Sequence, residues 1–260
     1  MEIEVAGMRQ RSALVADAVT RWQGSIVEDG SLPPSGYEIN TAPAQGDKFI
    51  EEITEICSAL KNQKAFANAQ CGLHVHIDCR NHNFIDLKKT IFLYQKIEPA
   101  LYDIVAPWRR TSHYCRPCGD KYAKDLEHLR TPKDNENKIL ENVYGTKDVI
   151  IRQKKESKYD QSRYNALNLH SWVYRGTLEN RMHHGTVLAD VIINWGLLWA
   201  SIVDYAFESK HTERQLKSLK GDSFQLLVQV AHTDPLKKWL VDRKKFFDEN
   251  RNSMTDRLEI

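Results

Sequence analysis

Polar residues recur two apart in four short stretches of the chain: Glu2 and Glu4, Glu38 and Asn40, His74 with His76 and Asp78, and Glu179 with Arg181. In an extended strand, residues two apart point to the same face. The opposite face would carry Ile3 and Val5, Tyr37 and Ile39, then Leu73, Val75 and Ile77, and Leu178. One such pair means little, because antiparallel sheets commonly keep a wet face. A plain solvated face would, however, mix Lys, Thr, Ser and Gln with Glu. Here lysine is missing from all four pairs. Carboxylate, imidazole, amide and guanidinium groups are the types that hold metals and phosphates.

If these strands lie side by side, Glu2, Glu4, Glu38 and Glu179 converge, and Asp29 joins them from a neighbouring turn. Several carboxylates at close range do not all stay ionised without cations. Two or three divalent ions would neutralise them. Oxygen-rich ligation favours Mg²⁺ or Mn²⁺, and one imidazole from His74 suits either, whereas zinc would draw more His or Cys. Ions shared beside Arg181 suit the phosphates of ATP.

The elements that must position these groups are legible as patterns. Alternation predicts strands at Met1–Val5, at Tyr37–Asn40 and at Leu73–Asp78, and Ser25–Ser31 reads as a short strand running into a tight turn. Further strands are expected at Tyr164–Leu169 and Gly176–Arg181. Ser12–Trp22 reads as a short helix. Asp47 is expected to cap a helix carrying Phe49, Ile53, Ile56, Cys57 and Leu60, and Asp86 to open one carrying Leu87, Ile91, Tyr94, Ile97, Leu101 and Ile104 across Pro99. Thr186–Phe207 reads as a long apolar helix whose Asp190, Asn194 and Asp204 argue against a membrane span. Two amphipathic helices follow, near Phe224–Val230 and Pro235–Asp248, the second capped by Thr233 or Asp234. The expected fold class is α+β.

The 260 residues suit a single domain over 1–260, with a charged insertion at about 109–163 and a helical C-terminal part at about 186–260. The insertion holds 14 Lys and Arg against 9 Asp and Glu, which suits either an anion-facing surface or a solvated run. The formal net charge of +2 supplies no global field for nucleic acid or an anionic membrane. Five irregularly spaced cysteines argue against a disulfide framework, and the opening Met1–Val5 lacks a charged-then-apolar signal pattern. The expectation is a cytoplasmic protein without a membrane partner. A homo-oligomer is compatible with the sequence.

The blocks MEIEV, EDGSLPPSGYEINTAP, CGLHVHID, RYNALNL and GTLENR followed by HHGT run in order from Met1 to Thr186. In these blocks the chain resembles the amidoligases related to glutamate–cysteine ligase and glutamine synthetase. The resemblance implies a single catalytic domain built on a curved antiparallel sheet, backed by helices, whose acidic concave face holds metals and ATP. It implies that Glu2 and Glu4 bind different ions, that Asp29 and Glu38 form the next acidic pair, and that His74 and Glu179 are further metal ligands. His76 would lie near the nucleotide phosphates, Arg181 would contact phosphate, and Arg163 would contact phosphate or a substrate carboxylate. Asn180, inside the same block, is grouped with the nucleotide contacts, while Arg181, Glu179 and Arg163 form the implied catalytic set. The implied reaction joins a small-molecule or peptide carboxylate to an amine through an acyl phosphate. The family's first strand usually has several residues before its first glutamate, whereas Glu2 here follows Met1 directly.

Other readings stand beside this one. The same acidic face would serve a metal-dependent hydrolase, another phosphoryl-transfer enzyme or a non-catalytic nucleotide-binding module. A nucleic-acid partner ranks low because the whole-chain charge is nearly balanced. His113, Cys115 and Cys118 resemble part of a zinc site, completed only if Cys71 or Cys79 comes close; otherwise Arg109, Arg110 and Arg116 face substrate from a loop at the site mouth. His183 and His184 read as ordinary polar residues at a helix start, and the six tryptophans as core anchors.

Overall fold

The computed structural model describes residues 1–8, 12–145, 149–208 and 212–254. Parts of the 109–163 segment (146–148) and of the C-terminal part (209–211 and 255–260) lie outside the described residues. Six strands form one sheet: β1 Glu2–Val5, β2 Ser25–Val27, β3 Tyr37–Asn40, β4 Gly72–Asp78, β5 Leu167–Asn168 and β6 Thr177–His184. The spatial order is β2-β3-β1-β4-β6-β5, and every neighbouring pair is antiparallel. One face is apolar. Ile3, Val5, Ile39, Leu73, Val75 and Leu178 are all buried on it, each contributing on the order of 1.5–3 kcal/mol.

Ten helices are described: α1 Ala13–Arg21, α2 Gly46–Asn62, α3 Phe84–Asp103, α4 Pro132–Tyr144, α5 Val149–Glu156, α6 Leu169–Arg175, α7 Ala189–Glu208, α8 Glu213–Ser218, α9 Ser223–Val230 and α10 Asp234–Asn250. Helix α7 packs on β4, and α2 and α3 pack on α7. The Trp199 indole N–H reaches the carbonyl of Leu178 in β6 at 3.2 Å, tying α7 to the sheet. No helix among the described residues is long and apolar enough to cross a membrane.

Several boundaries differ from the sequence reading, each for a local reason. Helix α2 starts at Gly46, so Asp47 lies in its first turn, where a carboxylate faces the helix dipole favourably, and is not the cap. Asn83 caps α3, and Asp86 closes a capping box from the third helical position. The Tyr164–Leu169 stretch is a strand only at Leu167–Asn168, because Asn168 caps α6 by accepting the Ser171 N–H. Strand β6 runs on to His184, so His183 and His184 are buried strand residues and open no helix. Within 109–163, Cys118, Tyr122, Leu126, Ile139, Leu140, Val143 and Tyr144 belong to the main hydrophobic core. This segment is therefore packed into the molecule, on short turns and helices whose apolar positions are too few to show a period.

Candidate active site

Register decides which side chains meet. Directly opposed residues in antiparallel strands share a face. Glu2 stands opposite Asn40 on one side and His74 on the other, Glu4 stands opposite Glu38, and His76 stands opposite Glu179. The four polar pairs thus form one continuous face across β3, β1, β4 and β6, while their alternate residues enter the core.

Glu2 is central to it. Its Oε2 lies 2.8 Å from His74 Nδ1 and its Oε1 lies 3.2 Å from His76 Nε2. His74 Nε2 is 3.7 Å from Glu4 Oε1, and His76 Nε2 is 3.8 Å from Glu179 Oε2. His76 is oriented from behind, its Nδ1 lying 3.0 Å from Thr177 Oγ1 and 3.3 Å from Ser171 Oγ. Glu179 receives Arg181 Nη1 at 2.5 Å and the amide of Asn168 at 2.6 Å. The Glu38 carboxylate receives the Asn40 amide at 2.8 Å. The Gly72 N–H donates to Glu4 at 2.5 Å, and a Cβ on Gly72 would stand 2.9 Å from His74 Nε2 and 3.3 Å from Glu4. The glycine of the CGLHVHID block is what lets the backbone close on these two groups.

Three sets of donor atoms lie close enough to share an ion, with ligand atoms within 4.8 Å of one another: Glu2, His76 and Glu179; Glu2, Glu38 and His74; and Glu4, Asp29 and Glu38. Glu2 and Glu38 each belong to two sets. The electrostatics agree with a row built around cations. Burial works to raise Glu2, but hydrogen bonds from His74 and His76 outweigh it and hold the carboxyl far below its ordinary range. Glu38 moves the other way, raised by burial and then by the charge on Glu2. Burial also works against ionised Glu179, yet Arg181 and then His76 hold it low. The row thus holds Glu2 and Glu179 charged against His74, His76 and Arg181, and crowds Glu38 beside the charge on Glu2. Its oxygen-rich donors, with one imidazole in each of two sets, fit Mg²⁺ or Mn²⁺.

The row opens into a cavity of about 560 Å³, lined also by Glu28, Lys158, Tyr159, Arg163, Tyr174 and Arg175, a size ordinary for a small-molecule site. A second cavity of about 270 Å³ adjoins it, sharing Asp29, His74, Arg163 and Arg181 and adding Glu4, Arg109, Tyr114 and Tyr164. Arg163 lies on both walls, with its guanidinium 5.1 Å from the Tyr159 ring centre and 4.8 Å from that of Tyr164. Its Nε has no hydrogen-bond partner.

The structure therefore gathers Glu2, Glu4, Asp29, Glu38, His74, Glu179, Arg181 and Arg163 around adjoining cavities, with His76 on neither cavity wall but within the donor set it forms with Glu2 and Glu179. Asn180 departs from the expected set. It stands opposite Val75, between Leu178 and Met182 on the core side, and its Oδ1 accepts the Met182 N–H at 3.0 Å. It lines neither cavity. Asp78 turns outward and pairs with Arg80 at 2.6 Å. The zinc reading also falls away. The Cys115 thiol donates to Arg109 O at 3.2 Å, Cys118 Sγ lies 3.8 Å from Leu167 O, and all five cysteines are free and buried. No metal-competent group among the described residues includes a cysteine. Of the arginines expected at the mouth, Arg110 pairs with Asp103 at 3.4 Å and Arg116 donates to Tyr164 O at 3.1 Å.

Sequence reasoning misses Asn168 and Arg175. Asn168 meets Glu179 only through the β5–β6 register, and its one local signal is a helix cap. Arg175, whose Nη1 lies 3.8 Å from Glu2, ends α6 beside the αL glycine Gly176 and carries no spacing signal.

The family model described as "Putative amidoligase enzyme" matches residues 3–203. No curated protein matches the chain.

Proposed function

The chain belongs to the amidoligase family, and from the geometry of its sheet we propose that it joins a carboxylate to an amine at the expense of ATP. One observation carries the reading: three cation-sized donor sets run along one row, linked through Glu2 and Glu38, with Arg181 against Glu179 at 2.5 Å. The antiparallel sheet with this acidic face supports an architecture like the catalytic sheet of glutamine synthetase and glutamate–cysteine ligase.

Glu2, Glu4, Asp29, Glu38, His74, His76 and Glu179 would hold Mg²⁺ or Mn²⁺, which would offset the charge of the ATP phosphates when bound. Arg181 faces the same phosphates and offsets charge on the transferring group. Arg163 and the aromatic residues Tyr159 and Tyr174 wall the larger cavity, which suits a nucleotide. The substrate carboxylate attacks the γ-phosphorus, forming an acyl phosphate and releasing ADP. The amine then attacks the acyl carbon: the C–N bond forms, the acyl C–O bond breaks, inorganic phosphate leaves, and the proton lost by the amine goes to solvent. Because phosphoryl transfer is mainly a matter of positioning and charge, no protein nucleophile is required.

The test is ADP release from Mg·ATP by the purified chain, with a panel of acids and with hydroxylamine as a general trap for acyl phosphates. Release should need both partners and stop with chelation or with Glu179→Ala. Turnover without nucleotide would mark a hydrolase. Tight nucleotide binding with no turnover on any pair would mark a binding module.

A further inference from the structure

Arg109 is 2% exposed, and among the described residues no carboxylate pairs with it. Burying a guanidinium without a counter-ion is costly unless its donors are used. Its Nε and Nη2 are used on one place. Nη2 donates to the carbonyl of Arg181 at 2.7 Å and Nε to that of Met182 at 3.1 Å. These carbonyls stand at an irregularity in the sheet, where Leu73 pairs with His183 but Val75 with Asn180, so β6 carries one residue more than β4. Such bulges re-aim side chains and are frequent beside active sites.

The same segment reaches the other end of the same residue. The Arg181 Nε donates to the carbonyl of Tyr114 at 3.3 Å. Arg109 and Tyr114 belong to consecutive 3₁₀ turns, Pro107–Thr111 and His113–Cys115. The buried Cys115 thiol donates back to Arg109 O, and the Tyr102 hydroxyl donates to Cys115 O at 2.5 Å. One strap thus holds Arg181 by its main chain and by its guanidinium, leaving Nη1 on Glu179.

We infer that the Pro107–Cys115 strap is a positioning device for Arg181, with Arg109 as its positioning residue. This rests on the reading of Arg181 as a phosphate contact. Arg109 acts through the bulge, fixing the direction in which Arg181 leaves the strand.

The experiment is a double-mutant cycle on binding of Mg·β,γ-methylene ATP, measured by calorimetry, with Mn²⁺ binding in the absence of nucleotide as a second readout. Arg181→Ala and Arg109→Gln should each weaken the nucleotide analogue by about tenfold, and the double variant should lose about tenfold and not a hundredfold. Mn²⁺ stoichiometry should be unchanged in Arg109→Gln. Arg109→Lys, which can reach one carbonyl but not both in a fixed fork, should fall between wild type and Arg109→Gln; it carries the test if the glutamine variant does not fold. Additive losses, wild-type affinity in Arg109→Lys, or joint loss of Mn²⁺ binding would each overturn the inference. If the wild type binds no analogue, or Arg181→Ala binds it unchanged, the nucleotide reading itself fails instead.

Discussion

Glu2 faces His74 across the β1–β4 ladder, with Oε2 2.8 Å from Nδ1, and through its other oxygen it reaches His76. One carboxylate therefore serves two of the three donor sets, whereas Glu179 serves one. Removing it should cost more than one ion. Titration of Mn²⁺ by electron paramagnetic resonance should show Glu2→Ala losing two binding events and Glu179→Ala losing one. Ligase turnover should drop at least about a hundredfold in both, the scale expected when charge compensation at a transferring phosphoryl is lost. Full Mn²⁺ stoichiometry in Glu2→Ala would remove the shared-ligand arrangement.

Asn168 tests whether the support behind a ligand matters. Its amide donates to Glu179 Oε2 at 2.6 Å while Arg181 holds Oε1. Partners of this kind orient a ligand, and their loss typically weakens metal affinity by about 10–100-fold. Asn168→Ala should weaken the Mn²⁺ event assigned to Glu2, His76 and Glu179 within that range and leave the other two unchanged. Asn168→Asp should do worse, because it sets a like charge beside Glu179. Equal loss at all three events would show that Asn168 maintains the fold and not the ligand.

The acid row was readable because it lies on short strands with one fully apolar side. Ile3, Ile39, Leu73 and Leu178 commit one face to the core, and period two then fixes where Glu2, Glu38, His74 and Glu179 must point. What alternation could not supply was non-local. His183 and His184 look polar in sequence, yet they are buried because α10 sends Arg243 across to His183 Nε2 at 2.8 Å, sixty residues along the chain. Arg109 looks like a surface charge until β6 presents two carbonyls to it. Asn180 looked like part of the site because it sits between Glu179 and Arg181, but the same alternation that exposes those two sends it to the core side. Cys115 and Cys118 had a metal-like spacing, but their thiols are turned toward backbone carbonyls.

The buried histidine pair gives the protein a pH dependence separate from the site. Burial pushes both His183 and His184 well below the ordinary histidine value, with Arg243 adding to the effect on His183, and His183 adding to the effect on His184. Their rings stack 4.2 Å apart. Above about pH 6.5 both states are neutral at these positions and the histidines cost nothing electrostatically. Below it the unfolded chain takes protons that the native state refuses, so stability falls with pH until the depressed native pKa is reached. Glu38, Glu52 and Glu98 are raised, chiefly by burial, and they oppose this trend, since the native state binds their protons first. The test is therefore a difference between chains. His184 Nδ1 accepts the Ala106 N–H at 3.1 Å, a role that the Asn carbonyl can fill. At pH 7.5, His184→Asn should be less stable than wild type by about 1–3 kcal/mol, the usual scale for a buried change. Urea unfolding at pH 7.5, 6.5, 6.0 and 5.5 should show that gap closing by about 1.4 kcal/mol per pH unit below 6.5. A gap that stays constant across the series would mean that His184 takes up its proton in the folded chain as readily as in the unfolded one.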